Sequence, residues 1–357
     1  MTWMGTFRTF ILMTIVVMTS VSGSVVYGQA EQPILLPPLT EADSQVATLQ
    51  PTLPPIVEPQ TLSSPLSNEI VVPDGFWIVS SRRLCQERVQ NNAAACMDYF
   101  HWAPGCHMIS SNQASFQNWL QPGIPICVYV HGSFVTWRTV LEDSCDTYRW
   151  IKKSACGRPV QVVFFTWPSD EAITGIPLLD AKPLGERAGF NGLYLHSMLE
   201  SLPYESPLSI IGHSHGARVV VSSMHLRGGG EVDGYRVRTM GQRRIRVVLA
   251  AAAIDHDWLC QGHRYECALN PIECMLNLRN QHDAALAVYP WIRPFSRRAA
   301  GKAGFTRHDV RNIGPQAVKI SEIDVTDSLR LRHVWPYYLA EDRLGPAVSG
   351  YLYFAGG

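Results

Sequence analysis

What this chain lacks narrows it first. It lacks net charge: 30 Lys and Arg balance 30 Asp and Glu over 357 residues, and only 17% of positions are charged. So even a balance offers no electrostatic footprint for a phosphate backbone, and nucleic acid is not an expected partner. None of the nine cysteines stands in C-x-x-C spacing, which removes the usual framework of a structural zinc site. No charge interrupts the sequence between Arg8 and Glu31, and no aromatic residue occurs between Glu31 and Ser67.

The two gaps have different readings. Arg8 followed by the apolar run Phe10–Val26 and the small-residue site Gly28-Gln29-Ala30 reads as a secretory signal peptide over residues 1–30, with an uncleaved membrane anchor as the alternative. Residues 31–68, rich in Pro, Thr, Ser and Gln without hydrophobic period, read as a disordered linker. The folded domain is expected over 69–357, exported to the periplasm or the cell exterior, with membrane proximity only through the N-terminus. Nine cysteines suit an oxidising compartment. Cys127, inside an apolar run, is the expected free thiol. Cys85, Cys96, Cys106, Cys145, Cys156, Cys260, Cys267 and Cys274 remain, and the guess is a Cys145–Cys156 bridge plus a local pair among the last three.

Within the folded part, strand and helix alternate. Phe76–Val79, Tyr99–Trp102, Ile126–Val130, Val160–Phe165, Leu208–Ile211, Arg244–Ala250, Cys274–Leu278 and Val318–Val325 read as strands, the last alternating as an edge strand does. Trp137–Ile151 and Ala217–Leu226 read as helices, and Leu195, Met198, Leu199 and Leu202 mark one helical face. Such alternation implies an α/β fold with a mostly parallel central sheet and helices on both faces. Reactive groups then gather at the carboxyl ends of the strands.

One stretch organises the rest. Leu208–Ile211 runs directly into Gly212-His213-Ser214-His215-Gly216 and then into the helix. That is G-x-S-x-G in a strand–turn–helix setting, where Gly212 and Gly216 allow the tight turn that lifts Ser214 clear of the sheet. A serine nucleophile needs a base, and the base needs an orienting acid, in chain order serine, acid, histidine. His333, just past the last strand, is the expected base, and His308 the alternative. Asp283, after the Cys274–Leu278 strand, is the expected acid, and Asp255 the alternative. His131-Gly132 lets the chain pass close to the elbow. The amide of Ser133 or Phe134 would then join that of His215 in an oxyanion hole. His213 and His215 read as residues bracing the site rather than as a metal pair. The segment 288–314, with Trp291, Ile292, Phe295 and six basic residues, reads as solvated surface, with a cap over the site as the alternative.

Taken together, Val128-Tyr-Val-His-Gly132, Phe164-Phe-Thr-Trp-Pro-Ser169, Gly212–Gly216, Ala252-Ala-Ile-Asp255 and Arg279-Asn-Gln-His-Asp283 resemble a bacterial esterase- or lipase-like branch of the α/β-hydrolase superfamily. The resemblance covers about residues 75–340. It implies an α/β-hydrolase fold with Ser214 as nucleophile, Asp283 as acid and His333 as base. One position departs from the pattern: His215 stands where relatives usually carry methionine or another apolar residue. The activity implied is hydrolysis of a carboxylic ester, or a related thioester or amide, in a small-molecule acyl substrate. It needs no metal or organic cofactor. The competing reading is a catalytically silent, exported binding module on the same fold.

Overall fold

The computed structural model describes residues 73–354 apart from 91, 106–107, 171–173, 175–176, 238–242 and 293–295. The signal or anchor segment, the linker and Cys106 therefore lie outside the described residues. The described strands are β1 (Phe76–Ser80), β2 (Asp98–Trp102), β3 (Ile109–Ser111), β4 (Ile126–Val130), β5 (Gln161–Thr166), β6 (Leu208–His213), β7 (Glu231–Val232), β8 (Tyr235–Arg236), β9 (Ile245–Ala250), β10 (Cys274–Arg279) and β11 (Ile320–Asp324). The helices are α1 (Gln113–Trp119), α2 (Trp137–Ala155), α3 (Pro177–Glu200), α4 (His215–Arg227), α5 (Ala284–Ala287), α6 (Tyr289–Ile292), α7 (Ala300–Ala303), α8 (Arg307–Ile313), α9 (Thr326–Leu329), α10 (Trp335–Leu339) and α11 (Leu344–Ser349).

Nine strands form one sheet in the order β3-β2-β1-β5-β4-β6-β9-β10-β11. Every pairing from β1 across to β11 is parallel, while β1–β2 and β2–β3 are antiparallel. Strands β4 and β6 are buried along their whole length, because helices cover both faces of a parallel sheet and leave no polar side. One apolar layer joins that sheet to α3 and α4 through Leu195, Met198, Val219 and Met224. The layer on the other face joins it to α2, α10 and α11 through Ile151, Trp335, Tyr338 and Val348. Helix α2 begins where Thr136 Oγ1 accepts the amide of Thr139, satisfying one of the orphan donors of its first turn.

Register fixes what meets at the sheet's functional end. Val130 pairs with Gly212, and His213 with Ala250. The loops after β4, β6 and β9 therefore leave the sheet side by side.

Two expectations are corrected. The described cysteines are all free thiols. Cys145 lies within α2 and Cys156 caps its end, so eleven residues of helix at about 1.5 Å each hold them far beyond the roughly 7 Å limit for a bridge. Cys260, Cys267 and Cys274 are likewise unpaired, each held in a separate setting: Cys260 buried against Asp309, Cys267 in the turn beside Gly228, and Cys274 opening β10. The second correction concerns 288–314. Its central part is not solvated surface: Ala299 and Ala300 are fully buried, and the amides of Ala300 and Gly301 donate to Ile254 O and Ala252 O. This part of the crossover from β10 to β11 is pinned against the segment that follows β9. Trp291 stays largely exposed.

Candidate active site

The elbow turns on Ser214, which has φ 53 and ψ −124. That region is strained for a residue with a Cβ, and such strain persists only where the surroundings enforce it. Here they do. The Ser214 amide donates to Ala250 O at 2.9 Å, and its carbonyl accepts from Ala217 N and Ala253 N. The glycines on either side permit the close approach: a Cβ on Gly216 would sit 2.3 Å from Val130 O, and one on Gly212 2.8 Å from Ala217 Cα. As the first residue of α4, His215 has an amide with no acceptor inside the helix.

Ser214 Oγ lies 3.0 Å from His333 Nε2, and His333 Nδ1 lies 2.8 Å from Asp283 Oδ2. The carboxylate can only accept, so Nδ1 carries the hydrogen and Nε2 is left to accept from the serine hydroxyl. Asp283 is fully buried, and its other oxygen accepts the Leu286 amide at the start of α5. The histidine is held by its backbone as well. His213 Nε2 donates to His333 O at 2.8 Å. Two residues on, Trp335 is buried against Tyr129 and donates from its indole to Thr147 Oγ1 at 2.8 Å. Asn280 Nδ2 donates to Arg330 O and Arg332 O, tying the end of β10 to the loop that delivers the ring. Neither Asn280 nor Trp335 is singled out by sequence reasoning. Asn280 falls inside the Arg279–Asp283 motif, but its partners are backbone carbonyls, which leave no trace in the sequence.

The alternatives lie elsewhere. Asp255 accepts from Tyr289 Oη at 2.7 Å and from Ser296 Oγ at 3.0 Å, in the network that fixes the α6–α7 region. His308 is exposed on α8, 2.8 Å from the Asn312 side chain.

The loop after β4 passes tightly beside the elbow: a Cβ on Gly132 would stand 2.8 Å from Ser214 Cβ. Of the two amides expected there, Phe134 N donates to Ser169 O at 2.7 Å and is spent on the loop itself. That removes Phe134 from the oxyanion set. Ser133 N and His215 N have no protein acceptor among the described residues. The loop is clamped from β5. Arg82 Nε donates to Thr166 Oγ1, whose hydroxyl donates to His131 Nε2 at 2.7 Å, while His131 Nδ1 donates to Gly132 O. Trp167 Nε1 donates to His131 O, and Ser169 Oγ to Val135 O. This gives the Trp-Pro-Ser motif its role.

Three imidazoles around the serine are kept neutral. Burial, reinforced by Arg82, pushes His131 down to about 3. Burial with the neighbouring His333 does the same to His213, and burial with Arg218 to His215, each to about 3. Ser133 Oγ bonds His215 Nδ1 at 2.6 Å. Among the described residues no group of three or more His, Cys, Asp or Glu side chains is placed to hold a metal ion.

The sheet order, with a strained serine between β6 and α4 and loops from β4, β10 and β11 converging on it, is that of the α/β-hydrolase fold. No family model matches the chain, and no curated protein matches it. Among solved structures it is similar to an acetyl xylan esterase at 12% identity and a TM-score of 0.29, over 64% of this chain and 92% of that one. At that score the likeness adds nothing to what the sheet order gives.

Proposed function

We propose that the protein is a serine hydrolase that cleaves a carboxylic ester, or a related acyl bond, through a covalent acyl-enzyme. The observation that carries this reading is the unbroken line Asp283 Oδ2, His333 Nδ1, His333 Nε2, Ser214 Oγ, with spacings of 2.8 and 3.0 Å, ending on a strained elbow serine. In the reaction, the Ser214 hydroxyl gives its proton to His333 Nε2 as Oγ bonds the acyl carbon. The negative oxygen is received by the amides of His215 and Ser133. The carbon–oxygen bond to the alcohol then breaks, and the departing oxygen takes the proton from His333. Water repeats the sequence and releases the acid, with Asp283 stabilising the imidazolium in both halves. None of these steps calls on a metal or organic cofactor, and the partner is a small-molecule acyl substrate.

The test is a fluorophosphonate probe, which forms a stable adduct only with an activated serine. Mass analysis is expected to place one adduct on Ser214 in the wild type. None is expected in Ser214→Ala, and strongly slowed labelling in His333→Ala. Labelling that persists in Ser214→Ala would remove the nucleophile, and an inert wild type would leave a binding module on this fold. We further propose export, on the strength of residues 1–30. Sequencing the mature N-terminus tests it, since an intact Met1 in the membrane fraction points to an anchor.

A further inference from the structure

The chain that follows the acid Asp283 leaves an apolar strip bare. From Ala284 to Trp291, along α5 and α6, Leu286 and Tyr289 are buried. Ala284, Ala285, Ala287, Val288, Pro290 and Trp291 are wholly or partly exposed. Every side chain that meets solvent there is thus apolar, and Trp291 is 70% exposed. The Ala284 amide donates to Leu331 O at 3.4 Å, which adds Leu331, itself 68% exposed, to the end of the strip. Single exposed apolar side chains are ordinary, whereas a continuous run of them marks a surface that something covers.

Cations frame this strip. No Asp or Glu occurs between Ala284 and His308, while Arg293, Arg297, Arg298, Lys302 and Arg307 do. One carboxylate, that of Asp255, draws the two kinds of residue together. It accepts from Tyr289 Oη at 2.7 Å, from Ser296 Oγ at 3.0 Å and from the Arg297 amide at 3.3 Å. The α6 turn that carries Trp291 and the Arg297-Arg298 pair are therefore tied to the same group. At the other end, Leu331 stands between Arg330 and Arg332. Arg298, Arg330 and Arg332 are exposed and pair with no carboxylate among the described residues. The acids nearby are partly spent, Asp257 on Arg297 at 3.5 Å and Asp324 on Arg279 at 2.6 Å, while Asp327 and Glu186 stay exposed. Burial lowers the Lys302 ammonium, and the neighbouring Arg298 adds to this against the pull of Asp283.

We propose that this rim docks on an anionic lipid bilayer, with Trp291, Leu331 and the α5 alanines entering the interface and Arg298, Arg330 and Arg332 meeting the headgroup phosphates. An apolar face bordered by cations is the pattern by which a surface segment lies in the interface plane. Tryptophan suits that depth, because its ring is apolar and its N–H is not. The negative potential of the lipid surface draws the arginines. A purely polyanionic partner would leave Trp291 and Leu331 in water, and a neutral apolar one would leave the cations unmatched. The contact is separate from the N-terminal segment, and it goes beyond the hydrolase reading because it needs no reaction at Ser214. Since the strip starts directly after Asp283 and Leu331 shortly precedes His333, docking turns this end of the sheet toward the membrane.

The experiment sediments the full chain with vesicles of phosphatidylcholine alone or with about a quarter phosphatidylglycerol. An apolar N-terminal segment partitions into both alike, so the reading is their ratio. Binding is expected to favour the anionic vesicles about tenfold, and the ratio falls toward one in about 1 M salt, where screening acts within about 3 Å. Arg330→Gln with Arg332→Gln lowers the ratio, and Trp291→Ser weakens binding to the anionic vesicles. Hydroxyl-radical footprinting reads the surface itself, whatever holds the chain on the vesicle. Anionic vesicles are expected to cut oxidation of Trp291 and Leu331 by about threefold, while Ile109 on β3 and Val318 before β11, both exposed, keep theirs. Unchanged oxidation of Trp291 and Leu331, or equal protection of all four residues, overturns the docking surface and leaves the hydrolase. Capture by a DNA duplex that matches the anionic vesicles and ignores Trp291→Ser assigns the cations to nucleic acid and overturns it as well. Ser214→Ala is expected to dock as the wild type does, so docking without any ester turned over removes the hydrolase and leaves the surface.

Discussion

At the scale of single residues, the two aspartates separate by what each touches. Asp283 meets the imidazole, whereas Asp255 meets Tyr289 and Ser296. Asp283→Asn is therefore expected to lower kcat toward a short-chain aryl ester by about three to four orders of magnitude, through loss of the correct tautomer. Asp255→Asn is expected to lower thermal stability and to cost less than about tenfold in kcat. Steady-state kinetics of both variants with matched melting curves decides the point, and the reverse ranking would move the acid to Asp255. The buried imidazoles make a second prediction. His131, His213 and His215 titrate in the fold near about 3 but near 6.5 when unfolded. Below about 6.5 the unfolded chain binds more protons, so stability is held above that pH and lost as pH falls toward 3. The urea midpoint should drop between pH 7 and 5, and less steeply in His131→Asn. A flat profile would mean that these rings are solvated. That Ser214, Asp283 and His333 would meet is legible in the sequence because each follows a strand in a fixed order. The engagement of Phe134 is not, because its acceptor, Ser169, is supplied by a different strand end.

At the scale of elements, the long apolar strands announce themselves, while the short pieces do not. Helix α1 buries only Phe116, so no period marks it. The β7–β8 hairpin is a miss of another kind, since Val232-Asp233-Gly234-Tyr235 holds the Asp-Gly turn signal in plain view. The functional weight of β5 lies at its end, where Thr166 joins Arg82 to His131. Thr166→Val keeps the shape of the side chain but breaks this relay. The expected result is a fall in kcat of about tenfold with little change in KM, because on the proposed mechanism the amides of this loop act on the transition state rather than on bound ester. A matching rise in KM with kcat intact would assign the loop to substrate binding instead.

At the scale of the whole described domain, the sheet and its two apolar layers hold without a covalent staple, since the described cysteines are all free. Melting temperatures with and without dithiothreitol should therefore agree within about 2 °C, against the larger shift that loss of a stabilising bridge produces. A drop of ten degrees would reveal a bridge involving Cys106. The alternation of strands and helices made the parallel sheet readable, because a strand covered on both faces must be almost entirely apolar. Cysteine pairing was not readable, because it depends on distances that helix α2 sets and composition ignores.

The hydroxyl and the ring that meets it are 119 residues apart in the chain, and the ring arrives only after the last strand has been laid down. If Ser214 and His333 act as proposed, a nascent polypeptide that has completed β6 and α4 still lacks the base of its serine. On the proposed mechanism, the serine gains its base only when the chain beyond the last strand has folded back onto the elbow.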